Sequence, residues 1–182
     1  MYKRQQLYSK EFLELVKSRL NENGLFVKWI PIYTMSVEDF RNLYKTFDSV
    51  FPNTIAFVNI KESENLQIIN RNENFPEKFE ATQIIFIGSQ NQINLDNKTF
   101  NTNYNLLSKQ AKENLNAIQL SSGEKILNLL LFDSLEIKDY AKDAELVTDD
   151  KPILEFSTAK KVINPNPKEV IQDINQFLKQ NE

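Results

Sequence analysis

The chain has 182 residues, enough for one domain, and its 41% apolar and 26% charged residues are typical of a soluble globular protein. A net charge of −3 and a pI near 5.2 argue against a general nucleic-acid binder, and no apolar run is long enough to span a bilayer. Cys and His are absent and only three Gly occur, so thiolate chemistry, His-based catalysis and Gly-rich nucleotide loops are excluded.

The first predicted unit is a helix, a glycine turn and a strand. The opening residues MYKRQQLY lack the apolar segment of a signal peptide, so we expect a cytoplasmic protein. Ser9 is predicted to cap a helix whose apolar face comprises Phe12, Leu13, Val16 and Leu20. Gly24 is expected to leave this helix in the left-handed conformation. Leu25–Ile30 then reads as a strand that Pro31 ends.

A second helix and a pair of strands follow. Ser36 and Asp39 have the spacing of a capping box, and the helix they open runs to about Asp48. Strands are predicted at Thr54–Ile60 and Gln83–Gly88. Because no convincing helix lies between them to make a crossover, we expect these two strands to pair antiparallel.

The rest of the chain is predicted to be mostly helical. Ser89–Tyr104 is rich in Asn and Gln and reads as a loop, and Thr148–Phe156 as a turn followed by a strand. Asn166 and Pro167 have the residue types that begin a final helix. Three further helices are predicted at Leu106–Leu115, Lys125–Phe132 and Leu135–Ala141. We divide the chain into residues 1–90, the sheet unit, and residues 91–182, which pack on it in one compact domain.

Three stretches together carry a family resemblance. They are LYSKEFLELVKSRLNENGLFVKWIPIY at Leu7–Tyr33, EDFRNLYKTFDSVFPN at Glu38–Asn53 with the later IIFIG, and TDDKPILEF at Thr148–Phe156. In this order they resemble the C-terminal part of spermidine synthase-like proteins, polyamine aminopropyltransferases of the bacterial branch often fused to membrane helices. The resemblance implies an α/β fold, the C-terminal half of a Rossmann-like methyltransferase sheet, in which a helix, a strand, a helix and an antiparallel strand pair precede a mostly helical region.

The resemblance also implies a reaction and its limits in this chain. The complete family transfers an aminopropyl group from decarboxylated S-adenosylmethionine to putrescine. The family's cofactor loop and catalytic Asp would lie before residue 1, so we expect no cofactor site and no catalytic residue here, and a domain inactive by itself. A decayed gene remnant is an open alternative.

Two residue groups are candidate amine-binding positions. Trp29 lies near the end of the predicted strand and Tyr33 just after it, at the carboxyl end where open α/β sheets bind ligands. The two aromatic residues could form the wall of a polyamine pocket. Alternatively, Trp29 fills the core and Tyr33 is a half-buried connector. Asp149 and Asp150 could attract a cationic amine through their summed charge, or simply cap a turn. Lys28 reads as a solvated residue.

The strand Leu25–Ile30 presents a further problem, because the strand that should lie beside it in the inferred sheet is missing. LFVKWI is an apolar edge with one charge, and such edges pair readily with other strands. We expect the upstream half of a longer chain to cover it. The alternatives are a second copy that pairs with it as a homodimer, and residues 1–8 or the C-terminal helix folded over it. The rival to an enzyme-derived domain is therefore a non-catalytic interaction or dimerisation domain that uses this edge.

Overall fold

The structure is a computed structural model that describes residues 5–60, 81–151, 153–154 and 167–180. Its strands form one antiparallel sheet in the order β1-β3-β2-β4, so that β1 and β4 lie at the edges of the described sheet. The strands are β1 Leu25–Pro31, β2 Asn53–Ile60, β3 Ala81–Ser89 and β4 Leu130–Phe132. The α-helices are α1 Lys10–Arg19, α2 Val37–Val50, α3 Asn97–Leu106, α4 Lys109–Ala117, α5 Gly123–Leu127, α6 Ser134–Tyr140 and α7 Pro167–Gln180. The predicted α/β class and the antiparallel β2–β3 pair are confirmed.

The helix α1 begins where the sequence predicts. The Ser9 hydroxyl accepts a hydrogen bond from the Phe12 N–H at 3.3 Å, which confirms the predicted cap. The prediction for Gly24 is wrong, because none of the described glycines has a positive φ. The helix instead ends in an extended residue, Leu20, and a turn closed by the Gly24 N–H bonding to the Asn21 carbonyl at 2.9 Å. Glycine is favoured there by space, since a Cβ would lie 3.0 Å from that carbonyl oxygen.

The helix α2 supplies most of the core on one face of the sheet. The predicted capping box is present, with the Ser36 side chain accepting from the Asp39 N–H and the Asp39 carboxylate accepting from the Ser36 N–H. The buried apolar residues of α2 are Phe40, Leu43, Tyr44, Phe47 and Val50. They pack with α1, α6 and α7 against the even-numbered side chains of β2 and β3. This face therefore holds the main core.

A smaller apolar cluster lies on the opposite face of the sheet. Ile55 and Phe57 of β2 are buried there with Leu130 of β4. Phe100 of α3 and Leu127 of α5 pack against this cluster. Residues of α3 and α5 thus cover the β2–β4 half of that face. Ile85 and Ile87 of β3, beside β1, are partly buried on the same face.

Several predictions for the second half were wrong. The polar stretch Ser89–Tyr104 contains most of α3, which Asp96 caps by accepting from the Thr99 N–H at 2.8 Å. The predicted helix Lys125–Phe132 stops at Leu127, and its last three residues form β4. All three of these residues are buried, so a run that is apolar on every side forms a buried strand at the sheet edge and not the end of a helix.

The remaining predictions for this half divide between confirmation and correction. A turn joins Thr148 to Lys151, as predicted, but Ile153 and Leu154 lie in a turn and a helix rather than in a strand, and residues 155–156 lie outside the described residues. The helices α6 and α7 are confirmed, and α7 begins at Pro167, whereas Asn166 lies outside the described residues. None of the described helices combines the length and apolarity that crossing a membrane requires.

Candidate interaction edge

The edge strand β1 presents an apolar side-chain face. Its exposed side chains alternate along the strand, with Leu25 at 54%, Val27 at 57% and Trp29 at 47% exposure. The intervening Phe26 and Ile30 face the helices and join the main core. The sequence alternative in which Trp29 fills the core is therefore wrong, since nearly half of its surface is exposed.

The direction of the backbone groups of β1 follows from the hydrogen bonds of the neighbouring strands. In an antiparallel sheet the N–H and C=O of successive residues point to alternate neighbours. The Val58 N–H of β2 donates to the Leu129 carbonyl, next to β4, at 2.9 Å. The even-numbered residues of β2 therefore point towards β4, and its odd-numbered residues bond to β3 on the other side. Phe57 lies opposite Ile85, and the odd-numbered residues of β3 therefore bond to β2. The even-numbered residues of β3 are left to bond to β1.

The same alternation identifies the open side of β1. Lys28 lies opposite Phe86 and Phe26 opposite Gly88, so the even-numbered residues of β1 bond to β3. The N–H and C=O groups of Val27, like those of its odd-numbered neighbours, consequently point away from the sheet. Pro31 belongs to this outward series and has no N–H to lose, which agrees with the tolerance of proline on strand edges. Among the described residues, β1 has β3 as its sole strand neighbour.

Lys28, which the sequence suggested to be solvated, is half-buried on the helix side of β1. Its ammonium lies 4.3 Å from the centroid of the Tyr8 ring and donates to the Leu7 carbonyl at 3.3 Å. Burial lowers the pKa of Lys28. The charge that the sequence placed on the edge is thus held against the opposite face, and the exposed face of β1 carries none.

Tyr33 lies just beyond β1 in the short 3-10 helix Ile32–Thr34. It is 36% exposed, which fits the half-buried connector that the sequence offered as an alternative to a pocket wall. Burial raises the pKa of Tyr8, and the nearby Tyr33 adds to this effect electrostatically.

Asp149 and Asp150 are exposed in the turn that joins Thr148 to Lys151. The Asp149 N–H donates to a Glu11 carboxylate oxygen at 3.0 Å, which ties this turn to the start of α1. Because α1 packs on the face of the sheet opposite the Trp29 side chain, the structure does not bring the acidic pair and Trp29 into one pocket. The turn interpretation accounts for the geometry of the pair.

A polar cleft of about 430 Å³ lies elsewhere, between α2, α6 and α7. Arg41 binds Asp173 through two hydrogen bonds of 2.6 and 3.1 Å, and the Tyr140 hydroxyl donates to the same carboxylate at 2.6 Å. Burial raises the pKa of Tyr140, and the Asp173 charge adds to this. Since these three groups satisfy one another, the cluster acts as a clamp on α7. No group of acidic residues that could hold a metal ion occurs in the described part of the chain.

Sequence reasoning identified the edge strand but missed Val27 and the direction of its open side. The position of Pro31 indicates the open side, because a proline is tolerated in a strand where the N–H would have no partner, and Val27 belongs to the same alternating series.

No family model matches the chain, and neither the curated proteins nor the solved structures include a significant match.

Proposed function

We propose that this chain is an interaction domain that binds an extended polypeptide segment along the outward side of β1. The observation that carries the proposal is the coincidence of two features on one strand. Leu25, Val27 and Trp29 expose about half of their side chains, and the backbone groups of the same residues point away from β3. A strand added at this edge gains main-chain hydrogen bonds and apolar side-chain contacts together.

Part of the usual protection of an edge strand is missing from β1. Proteins that keep an edge strand from pairing place on it a charge, pointing outward or inward, a bulge or a proline. The register of β1 against β3 is regular over all seven residue pairs, and Pro31 lies at the last of them. Lys28 is an inward-pointing charge, but its ammonium is already held by the Tyr8 ring and the Leu7 carbonyl. The exposed face of β1 therefore carries no charge, and within the described residues its outward backbone groups remain able to accept a partner.

The proposal is tested by selecting short extended peptides from a display library on the immobilised chain. The informative variant is Val27→Pro, which removes an N–H directed outward and leaves the bonds to β3 intact. Val27→Ala is the matched control, because it trims the same side chain but keeps the N–H. We expect Val27→Pro to abolish binding of the selected peptides and Val27→Ala to weaken it only a few-fold.

Trp29 provides the readout, since it is the sole Trp of the chain and lies on the edge itself. Bound peptide should shift its emission to the blue and reduce its quenching by acrylamide. Peptides that bind Val27→Pro as tightly as the wild type, with no change in Trp29 emission, would overturn the proposal.

The second candidate function is the amine side of a spermidine synthase-like enzyme. The observation that favours it is the element order, in which β1 is followed by α2 and the antiparallel β2–β3 pair, as the resemblance predicts. Calorimetry of the chain with putrescine and with decarboxylated S-adenosylmethionine tests it. Micromolar binding that is weakened by Asp149→Asn with Asp150→Asn would support this function over the interaction domain.

A further inference from the structure

We infer that the strand added to β1 is β1 of a second copy, antiparallel, with Val27 on the twofold axis. This inference rests on the proposed function and specifies its partner. The result would be a closed dimer with a continuous eight-stranded sheet, because a twofold contact uses the same patch on both copies and leaves no open β1 edge.

The alternation of β1 restricts the possible registers. Side chains that lie opposite each other must point to the same face of the sheet, and the groups that bond must both point outward. Odd-numbered residues must therefore face odd-numbered residues. The twofold axis must then pass through a residue position and cannot fall between two residues.

Three positions of the twofold axis, at Val27, Lys28 or Trp29, set at least three pairs of outward-pointing residues opposite each other. A centre at Lys28 would set two ammonium-bearing side chains directly opposite each other and would pair Leu25 with Pro31, which lacks an N–H. A centre at Trp29 would pair Val27 with Pro31 and lose hydrogen bonds on both sides. A centre at Val27 pairs Leu25 with Trp29 of the other copy, excludes Pro31, and forms about six backbone hydrogen bonds, as many as the Lys28 centre but without its two opposed ammonium groups.

Charge also favours the Val27 register. It places Lys28 opposite Phe26, so the two Lys28 residues are diagonal neighbours about 7–8 Å apart and are not directly opposite each other, where like charges are destabilising. On the exposed face, the uncharged side chains of Leu25, Val27 and Trp29 meet their counterparts. They extend the rows that Ile85 and Ile87 begin on β3. The strand is thus complementary to itself in hydrogen bonding in this register, and the two Lys28 residues are kept out of direct opposition.

The register is tested by single-cysteine cross-linking, for which the chain is suited because it contains no Cys. Val27→Cys should give a disulfide dimer, since opposed residues in a hydrogen-bonded pair have Cα atoms about 5.5 Å apart, within disulfide range. Leu25→Cys alone should not, because its two copies would lie about 13 Å apart, four residues along the strand. A mixture of Leu25→Cys and Trp29→Cys should cross-link again.

The control is Leu135→Cys on α6, which is 74% exposed and whose helix packs beside α2, β2 and β4, so it measures random oxidation. Preferential cross-linking of Lys28→Cys over Val27→Cys would overturn the register. A wild-type chain that sediments as a 21.3 kDa monomer at 100 μM would overturn self-pairing. Both results leave the proposed function standing if selected peptides still lose binding to Val27→Pro. Failure of that peptide experiment in a chain that dimerises elsewhere would refute the proposed function itself.

Discussion

Two tyrosines of the main core allow the same substitution to be made with opposite expected effects. Tyr44 and Tyr140 have ring centroids 6.0 Å apart in one aromatic cluster. The Tyr44 hydroxyl is fully buried and has no hydrogen-bond partner among the described residues, whereas the Tyr140 hydroxyl donates to Asp173 at 2.6 Å. We predict that Tyr44→Phe stabilises the fold and that Tyr140→Phe destabilises it.

The magnitudes follow from the two environments. A buried hydroxyl without a partner costs about 1–3 kcal/mol, so Tyr44→Phe should raise the free energy of unfolding by about 1 kcal/mol after allowance for the small void it leaves. A hydrogen bond to a charged group contributes about 1.5–3 kcal/mol, so Tyr140→Phe should lower that free energy by about 2 kcal/mol. For a chain of this length, these changes correspond to Tm shifts of about +2–4 °C and −4–8 °C.

Urea unfolding followed by circular dichroism measures both free energies at one protein concentration. Asp173→Asn in the Tyr140→Phe background should add less than it does in the wild type, because the two residues share one hydrogen bond. A loss of stability in Tyr44→Phe as large as that in Tyr140→Phe would contradict this prediction, because it would show that the Tyr44 hydroxyl has a partner.

Three further predictions concern packing, capping and pH. Gly88→Ala should cost about 1–3 kcal/mol in urea unfolding, because its Cβ would lie 2.6 Å from a ring atom of Phe47 and 2.7 Å from Phe51; a change below about 0.5 kcal/mol would contradict this packing. Ser36→Ala should cost about 1 kcal/mol by removing the cap of α2, and Ser36→Asp should keep most of it. Burial raises the pKa of both core tyrosines, so the folded state holds protons that the unfolded state releases, and stability should fall as pH rises above about 10. Either Tyr→Phe variant should reduce this alkaline loss.

The sequence predicted well those elements whose signals are local. The capping box at Ser36 and the cap at Ser9 depend on a few adjacent residues, and both are present. The β2–β3 pair could be predicted from the lack of a crossover helix between the strands. That Leu25–Ile30 is an apolar edge strand could also be predicted from the sequence, although the exposure of the Trp29 side chain could not.

The failures concern features that depend on tertiary contacts. The run Leu129–Phe132 is apolar all round, and whether it forms a helix or a strand is decided by β2, whose Val58 N–H needs an acceptor and finds it at Leu129. The sequence predicts a solvated Lys28, but its ammonium contacts the Tyr8 ring and donates to the Leu7 carbonyl on the covered face. Trp29 and Asp149 looked like parts of one site, yet the sheet separates them. These outcomes depend on which residues fold back over the sheet, and no local pattern encodes that.

If the outward groups of β1 are open in one chain and pair with a strand of another, the protection of its amides must depend on protein concentration. Amide hydrogen exchange of β1, followed residue by residue over a range of concentrations, measures this dependence. We predict that the Phe26 and Lys28 amides, which bond to β3, exchange slowly at every concentration, while those of Val27 and Trp29 exchange fast in dilute solution and slow down as concentration rises. Val27 and Trp29 amides already protected at the lowest concentration, or unprotected at the highest, would contradict it.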